Sequence, residues 1–262
     1  SGNLKSAKLI DPSVRIVPER NVRLAPYFVF EVQRYLKEKI GSDKLRNQGG
    51  LRIITTLDLK MQTAAEKAVV GRRLPDQAQL ALVGLEPNSG EVLAMVGARP
   101  GTEGEFNRAT QAWRSPGSAI KPFTYGVALE AGWTQATTVR DSPVEYPTPQ
   151  GVWRPKNFDG RFLDRPVSLR YALDRSLNLP AIRTAEAIGV QRLGDKLRAA
   201  GFRLTGNMAV LANSIGGGAD ITPIGLAAAY ASFVNGGYWI APRLVLRVED
   251  NNGPIIYQPE TK

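Results

Sequence analysis

Two short apolar runs joined by a turn limit the folds that this chain of 262 residues can adopt. Residues 80–85 and 92–96 are apolar almost throughout, and Pro87, Asn88 and Gly90 between them favour a tight turn. A hairpin with one face in water alternates apolar and polar residues, which these two runs do not. We therefore predict a β-hairpin that belongs to a larger sheet and is covered by helices on both faces.

The segments around the hairpin are predicted to be mainly helical, so the fold class is α/β (α+β). β-Branched residues predict strands at residues 51–57 and 239–248. Apolar spacing and glycine stops predict helices over residues 26–40, 118–129, 167–175, 181–188, 190–200 and 221–235, and a further helix capped by Asp58. Residues 134–166, rich in Pro, Trp, Asp and Asn, are predicted to form a long irregular excursion. Its Trp153 and Phe158 either line a groove or pack against the core.

The composition excludes several kinds of chemistry. The chain has no histidine and no cysteine, which rules out Ser-His-Asp catalysis, disulfides, thiolate catalysis and cysteine-based zinc sites. Without these ligands a first-row transition-metal site is disfavoured, and no metal and no cofactor are predicted. The net charge of +10 suits an anionic partner, but the basic residues are scattered. They form no run of the kind that marks a nucleic-acid-binding arm, so no nucleic acid partner is predicted.

Ser118 and Lys121, in the sequence Ser-Ala-Ile-Lys, offer a hydroxyl and an amine three residues apart. On the first turn of a helix, which Pro116 and Gly117 would precede, both side chains lie on one face. A serine attacks a carbonyl only when a base takes its proton. In a chain without histidine, a lysine can be that base if burial lowers its pKa. We predict Ser118 as the nucleophile and Lys121 as the general base.

A second polar pair follows at a predicted break between helices. Ser176 and Asn178 place a hydroxyl and a carboxamide two residues apart. A hydroxyl can pass a proton, and a carboxamide can bind the amide backbone of a substrate. The pair is too short to be a signal alone, and its value comes from its position after the apolar hairpin and the Ser-x-x-Lys sequence.

In combination these motifs resemble the transpeptidase domain of a bifunctional (class A) penicillin-binding protein. Residues 50–58, 85–91, 114–123, 176–180 and 221–237 resemble stretches of that family in the family's order, and residues 25–29 resemble the linker that precedes its transpeptidase domain. The resemblance implies a penicillin-binding or serine β-lactamase-like fold, an antiparallel sheet flanked by helices with an all-helical subdomain. It also implies a linker region at residues 1–50, between a glycosyltransferase and a transpeptidase domain, and a transpeptidase domain at residues 51–262.

The family resemblance implies a role for each polar residue in cross-linking peptidoglycan. Ser118 would attack the penultimate carbonyl of a stem peptide ending in D-Ala-D-Ala, and Lys121 would take the serine proton. Ser176 would pass a proton to the expelled D-alanine, and Asn178 would hold the substrate backbone. β-Lactams would acylate Ser118 as substrate mimics. The same resemblance implies an extracytoplasmic location, with a membrane anchor before residue 1.

The sequence departs from the family at the third motif, Lys-Thr/Ser-Gly. No lysine of the chain is followed by Thr-Gly or Ser-Gly. In the family that strand binds the substrate carboxylate and supplies the second amide of the oxyanion hole, and losing one such donor costs ~10²–10³ in rate. We therefore expect the fold to be incomplete at the C-terminus, with the motif on a companion C-terminal fragment.

Two other functions compete with the transpeptidase interpretation. A serine β-lactamase-like hydrolase shares the fold and motifs, but the linker-like N-terminus and the lack of a recognisable deacylating Glu after Ser176 and Asn178 disfavour it. A non-catalytic cell-wall scaffold fragment would use the basic surface alone. Replacing Ser118 by Ala separates the scaffold from an acylated enzyme.

Overall fold

The computed structural model describes residues 24–41, 51–72, 75, 78–99, 106–149, 151–250 and 253–260. Most of the predicted linker, residues 1–23 and 42–50, lies outside the described residues. Within the described ranges, no helix is both long and apolar enough to cross a membrane.

Helices and short antiparallel strands alternate along the chain. The α-helices are α1 (Pro26–Ile40), α2 (Leu59–Val70), α3 (Arg108–Gln111), α4 (Lys121–Glu130), α5 (Leu169–Asp174), α6 (Asn178–Ile188), α7 (Val190–Ala199) and α8 (Pro223–Ala231), with 3-10 turns at Gly117–Ile120 and Leu211–Ile215. The strands are β1 (Arg52–Thr55), β2 (Leu82–Leu85), β3 (Val92–Val96), β4 (Thr138–Asp141), β5 (Tyr146–Thr148), β6 (Gly151–Trp153), β7 (Arg165–Ser168), β8 (Arg203–Leu204), β9 (Ala219–Asp220), β10 (Val245–Glu249) and β11 (Ile255–Tyr257).

The predicted hairpin is formed by β2 and β3, which pair antiparallel with Leu82 opposite Val96 and Val83 opposite Met95. Successive side chains of a strand point to opposite faces. Val83 and Met95 accordingly pack into a cluster with α1, whereas Leu82 and Val96 pack into another with α2. The prediction of an apolar hairpin covered by helices on both faces is confirmed.

The hairpin is joined to a second sheet, in which β10 pairs antiparallel with both β1 and β11. The Val92 N–H donates to the Arg243 carbonyl, and the Arg243 N–H donates to the Gly90 carbonyl, each at 2.9 Å. Helix α1 packs across this junction because its buried Phe28 and Leu36 share a cluster with β3 and β10. Residues 26–40 therefore pack on the same core as the strands, and the boundary at residue 50 stays a prediction.

The second half of the chain builds a helical layer around α4. Ile120, Phe123 and Val127, on and just before this helix, pack with α6, α7 and α8 in one cluster. Tyr125 and Ala128, on its other side, pack with α5 and β7. Helix α4 is thus enclosed by the other helices, which fixes the direction of its first turn.

The structure corrects several predicted boundaries. The excursion at residues 134–166 contains two antiparallel pairs, β4 with β7 and β5 with β6. The helix predicted over residues 167–175 begins at Leu169, because residues 165–168 form β7. The strand predicted over residues 239–248 is shorter and starts at Val245. In each case pairing between distant segments decided the conformation, and local composition does not contain that information.

Candidate active site

Ser118 lies in a 3-10 turn that leads directly into α4. Gly117 begins the turn with φ of 54°, and Pro122 occupies the first turn of the helix, where its missing N–H needs no partner. In a 3-10 turn residues i and i+3 eclipse, so Ser118 and Lys121 share a face, as predicted. Ser118 is exposed, whereas Lys121 is 0% exposed. The turn therefore presents a hydroxyl to solvent above a buried amine.

Three oxygen atoms surround the Lys121 amine. Nζ lies 2.5 Å from the Ser176 carbonyl oxygen, 2.7 Å from Asn178 Oδ1 and 3.1 Å from Ser176 Oγ. The structure thus brings three of the four predicted site residues into direct contact, and the fourth lies on the same turn as the lysine. Within the described part of the chain, Ser118 Oγ makes no hydrogen bond to Lys121 in this conformation.

Burial lowers the pKa of Lys121 from 10.5 to about 8, because desolvation disfavours the ammonium form. A neutral amine has two N–H donors and one lone pair. The carbonyl oxygens of Ser176 and Asn178 can only accept, so they take both donors. The lone pair is then left for the third oxygen, the Ser176 hydroxyl, which can donate to it.

The backbone of Ser176 is held in a left-handed conformation, with φ of 52°. Its N–H donates to the Leu173 carbonyl and the next N–H donates to the Ala172 carbonyl, which closes the end of α5. A non-glycine residue in this region costs about 1–3 kcal/mol and is held there by its surroundings. The conformation places both the carbonyl and the hydroxyl of Ser176 beside the lysine.

Asn178 begins α6, and its side chain has a fixed orientation. Nδ2 donates to the Lys156 carbonyl at 2.7 Å, so Oδ1 must face Lys121. The backbone N–H of Asn178 donates to Asn157 Oδ1 at 2.8 Å. The excursion at residues 134–166 is therefore attached to the site through Lys156 and Asn157.

A separate segment, residues 211–217, contacts the 3-10 turn Gly117–Ile120, called the nucleophile turn because Ser118 is the predicted nucleophile. Ser115 Oγ donates to the Gly216 carbonyl at 2.7 Å and accepts from the Gly117 N–H at 3.2 Å. Thr124 Oγ1 donates to the Ser214 carbonyl at 3.2 Å. A Cβ on Gly216 would lie 2.7 Å from the Gly117 backbone, so only glycine allows this approach. These contacts fix the turn that carries Ser118.

Two cavities lie near these elements. One of about 560 Å³ lies between the residues that precede β2 and the nucleophile turn, and Leu80, Ser115 and Pro116 are among its lining residues. Another, of about 540 Å³, is lined by Tyr146, Trp153 and others, so Trp153 lines a groove as one of the two predictions had it. Phe158 is fully exposed and packs against no core. The described residues contain no cluster of acidic residues that could hold a metal ion.

Several site-building residues were not predicted from the sequence. Asn157, Asp141, Ser115 and Gly216 are not among the site residues that the sequence predicts. The Gly-Gly-Gly sequence of residues 216–218 was the available signal for a close backbone approach. Asp141 and Asn157 carry no local pattern that separates them from ordinary loop residues.

Comparison with known proteins gives a consistent result. A family model of the penicillin-binding protein transpeptidase domain matches residues 80–262. Penicillin-binding protein 1A of Neisseria meningitidis serogroup A is 37% identical over 227 residues, which are 86% of this chain and 27% of that protein. The chain thus spans about a quarter of the length of such relatives.

Solved structures show the same fold. The crystal structure of penicillin-binding protein 1A from Haemophilus influenzae superposes with a TM-score of 0.80 at 26% identity, covering 91% of this chain and 50% of that one. PonA1 from Mycobacterium tuberculosis in complex with penicillin V superposes with a TM-score of 0.75 at 26% identity, covering 89% and 65%. The predicted penicillin-binding fold is confirmed, and the chain belongs to the penicillin-binding protein transpeptidase family.

Proposed function

We propose that this chain carries the acylation site of a serine-type D-Ala-D-Ala transpeptidase that cross-links peptidoglycan stem peptides. The observation that carries the proposal is the fully buried Lys121, which directly follows the turn that exposes Ser118. Its amine contacts Ser176 and Asn178, which come from a different part of the chain. Burial holds the pKa of this lysine near 8, so about one tenth of it is neutral at pH 7, far more than at its ordinary pKa of 10.5. Membership of the transpeptidase family supports the reaction class.

In the proposed reaction, Ser118 Oγ attacks the carbonyl carbon of the penultimate D-alanine while its proton passes to Lys121 Nζ. The tetrahedral intermediate then collapses, the C–N bond to the terminal D-alanine breaks, and the leaving nitrogen receives a proton through Ser176 Oγ. Asn178 holds the substrate backbone through its carboxamide. The amine of a second stem peptide attacks the acyl ester, releases Ser118 and completes the cross-link.

β-Lactams are proposed as inhibitors because their strained amide places a carbonyl where the substrate's carbonyl would lie. Attack by Ser118 opens the ring, and the amine stays tethered to the acyl group, so no leaving group departs. The complex of PonA1 with penicillin V supports this proposal, since that protein shares the fold with this chain.

The proposal also requires a Lys-Thr-Gly segment, which residues 1–262 do not contain. We propose that it lies on further polypeptide that pairs with the free edge of β2, since β2 pairs only with β3 among the described residues. The cavity beside Leu80 and Ser115 lies between the start of that strand and the nucleophile turn. On the same family grounds, we propose that the protein acts outside the cytoplasm and is held at the membrane by an N-terminal anchor.

Intact-protein mass spectrometry of the longest natural form of the protein, after incubation with benzylpenicillin, tests the proposal. We expect one penicilloyl adduct that maps to Ser118 and is absent from Ser118→Ala, whereas Ser89→Ala, in the hairpin turn, stays fully labelled. Rapid turnover of the drug without a lasting adduct would instead indicate a β-lactamase-like hydrolase. An unlabelled protein would indicate the scaffold.

The requirement for further polypeptide is tested by labelling residues 1–262 alone and again with the rest of the natural protein. We expect slow or undetectable labelling of the isolated chain and recovery when a polypeptide with Lys-Thr-Gly is present. Equal labelling rates in both samples would show that this chain forms the acylation site without that motif.

A further inference from the structure

A buried carboxylate lies at the end of β4, behind the candidate active site. Asp141 is 0% exposed, and its Oδ2 accepts from the Leu163 N–H at 2.9 Å. Its Oδ1 accepts from Asn157 Nδ2, also at 2.9 Å. A buried carboxylate is costly unless hydrogen bonds compensate it, and it can only accept. Asp141 therefore dictates that Asn157 presents its N–H₂ group on this side.

Asn157 carries this polarity toward the site. Asn157 is 7% exposed, and its Nδ2 also donates to the Arg161 carbonyl at 2.9 Å. With Nδ2 held by two acceptors, Oδ1 must point the other way. There it accepts from the backbone N–H of Asn178 at 2.8 Å, the first residue of α6. The amide of Asn157 has no second orientation that satisfies these partners.

Asn178 completes the connection to the amine. Its backbone is held by Asn157, its Nδ2 by the Lys156 carbonyl, and its Oδ1 lies 2.7 Å from Lys121 Nζ. A continuous chain of hydrogen bonds thus runs from Asp141 through Asn157 and Asn178 to Lys121. Asn157 fixes the backbone of Asn178, and the Lys156 carbonyl fixes the orientation of the Asn178 side chain.

We propose that Asp141 and Asn157 are positioning residues for acylation, which set the place of Asn178 and, through it, hold the Lys121 amine in place beside Ser176 on the helix that follows Ser118. The inference rests on the proposed function and adds two residues outside the Ser-x-x-Lys and Ser-x-Asn motifs. Among the described residues, neither is hydrogen-bonded to Ser118 or Lys121 directly. Their effect is on the rate of the chemical step, because a misplacement of about 1 Å can cost about 100-fold.

Exchanging the two polar groups gives the sharpest test. Asn157→Asp places a second carboxylate beside Asp141 and breaks the chain of hydrogen bonds between Asp141 and Asn178. The double variant Asp141→Asn with Asn157→Asp restores it, because Asn at position 141 can donate to Asp at position 157, whose other oxygen still accepts from the Asn178 N–H. The contact with the Arg161 carbonyl remains lost, so recovery is partial. Asp141→Asn alone gives a second, milder break if the first variant folds poorly.

The measurement is stopped-flow acylation by benzylpenicillin in the longest natural form of the protein, normalised to titrated active sites. We expect Asn157→Asp to lower the acylation rate constant about 100-fold, with a dissociation constant for the non-covalent complex within about twofold of wild type. The double variant should recover to within about tenfold of wild type. Asn235→Asp, which alters an amide that bonds to the Pro87 and Tyr238 carbonyls, should keep the wild-type rate constant.

Two results would overturn the inference. One is an acylation rate constant per titrated site equal to that of wild type in Asn157→Asp or Asp141→Asn. This result would mean that the hydrogen bonds of Asp141 and Asn157 only stabilise the fold. The other is a double variant no faster than the slower single variant, which would mean that the connected chain does not set the rate. If the wild-type protein itself is not acylated at Ser118, the proposed function fails instead, and that outcome is visible before any variant is made.

Discussion

At the scale of single residues, the site depends on one buried amine and one strained backbone. Lys121 is enclosed completely, and Ser176 is held at φ of 52° so that its carbonyl and hydroxyl both face that amine. Burial makes the lysine a weaker base in equilibrium terms but makes its neutral form available. Ser118, exposed one turn earlier, keeps the freedom to meet a substrate.

The lowered pKa of Lys121 predicts a pH dependence for acylation. In the proposed reaction the neutral amine is the base, so the rate constant should rise as pH increases through about 8 and level off above it. The measurement is benzylpenicillin acylation per titrated site between pH 6 and 10. Lys196→Met, which removes an exposed lysine paired with Glu130, should leave the profile unchanged. A rate constant that falls with rising pH would exclude Lys121 as the base.

The same shift makes the folded state more stable at high pH. The pKa of Lys121 is lower in the folded than in the unfolded chain, so between about pH 8 and 10.5 the unfolded chain binds more protons. Stability from this group is therefore absent at low pH and grows as pH rises through that window. Urea unfolding of wild type and Lys121→Met should show a free-energy difference that shifts in favour of wild type as pH rises from 8 to 10. A constant difference would contradict the depressed pKa.

Ser176 allows its backbone and its hydroxyl to be separated. Ser176→Ala and Ser176→Gly both lose the hydroxyl, but only glycine adopts a positive φ without strain. We expect Ser176→Gly to be about 1 kcal/mol more stable than Ser176→Ala in urea unfolding. Both should lose acylation activity to a similar degree if the hydroxyl passes the proton. A glycine variant with wild-type activity would assign the role to the backbone alone.

At the scale of elements, the nucleophile turn is held by residues 211–217 through backbone contacts. Gly216 and Gly206 both have positive φ, of 95° and 80°. A Cβ on Gly216 would meet the Gly117 backbone at 2.7 Å, whereas a Cβ on Gly206 would meet nothing within 4 Å. The two glycines therefore form a matched pair. Alanine at either position would carry the strain of a positive φ, but only at position 216 would its Cβ also clash with neighbouring backbone.

This pair gives a prediction for Gly216→Ala. Both Gly216→Ala and Gly206→Ala should lose about 1 kcal/mol of stability from the positive φ. Only Gly216→Ala should displace the turn that carries Ser118, and we expect its acylation rate constant to fall about 10- to 100-fold. Stability from urea unfolding and acylation per titrated site are measured on both variants. Equal acylation rate constants would show that the turn adjusts to the extra methyl group.

The elements also show how far the sequence predicts the structure. The hairpin, α1 and α2 were predicted closely, because their apolar spacing and the Asp58 cap are local signals. The pairs β4 with β7 and β5 with β6 were missed, because β4 and β7 are separated by more than 20 residues and neither has an apolar alternation of its own. Asn157 was missed as a site residue for the same reason. Its partners, Asp141 and Asn178, come together only when that pairing forms.

At the scale of the whole molecule, α1 connects residues before position 50 to the core of the transpeptidase fold. Phe28 is 1% exposed and shares a hydrophobic cluster with Met95 and Val248, from both sheets. The predicted linker, residues 1–50, therefore contains a helix that buries an apolar face in the same core as both sheets. If α1 belongs to the same cooperative unit, weakening it should weaken the fold that carries Ser118.

Phe28→Ala tests this coupling. Truncating a fully buried phenylalanine costs about 3–5 kcal/mol, through lost burial and the cavity left behind. We expect one cooperative transition in thermal unfolding, shifted to lower temperature in Phe28→Ala, with penicillin labelling at Ser118 lost at the same lowered temperature. Phe158→Ala, which removes a fully exposed ring, should match wild type in both assays. If α1 instead melts separately in the variant while labelling persists at the wild-type temperature, the helix is an independent linker. The reason is that residues sharing one cooperative core unfold in one transition, so destabilising α1 would lower the unfolding temperature of the whole core.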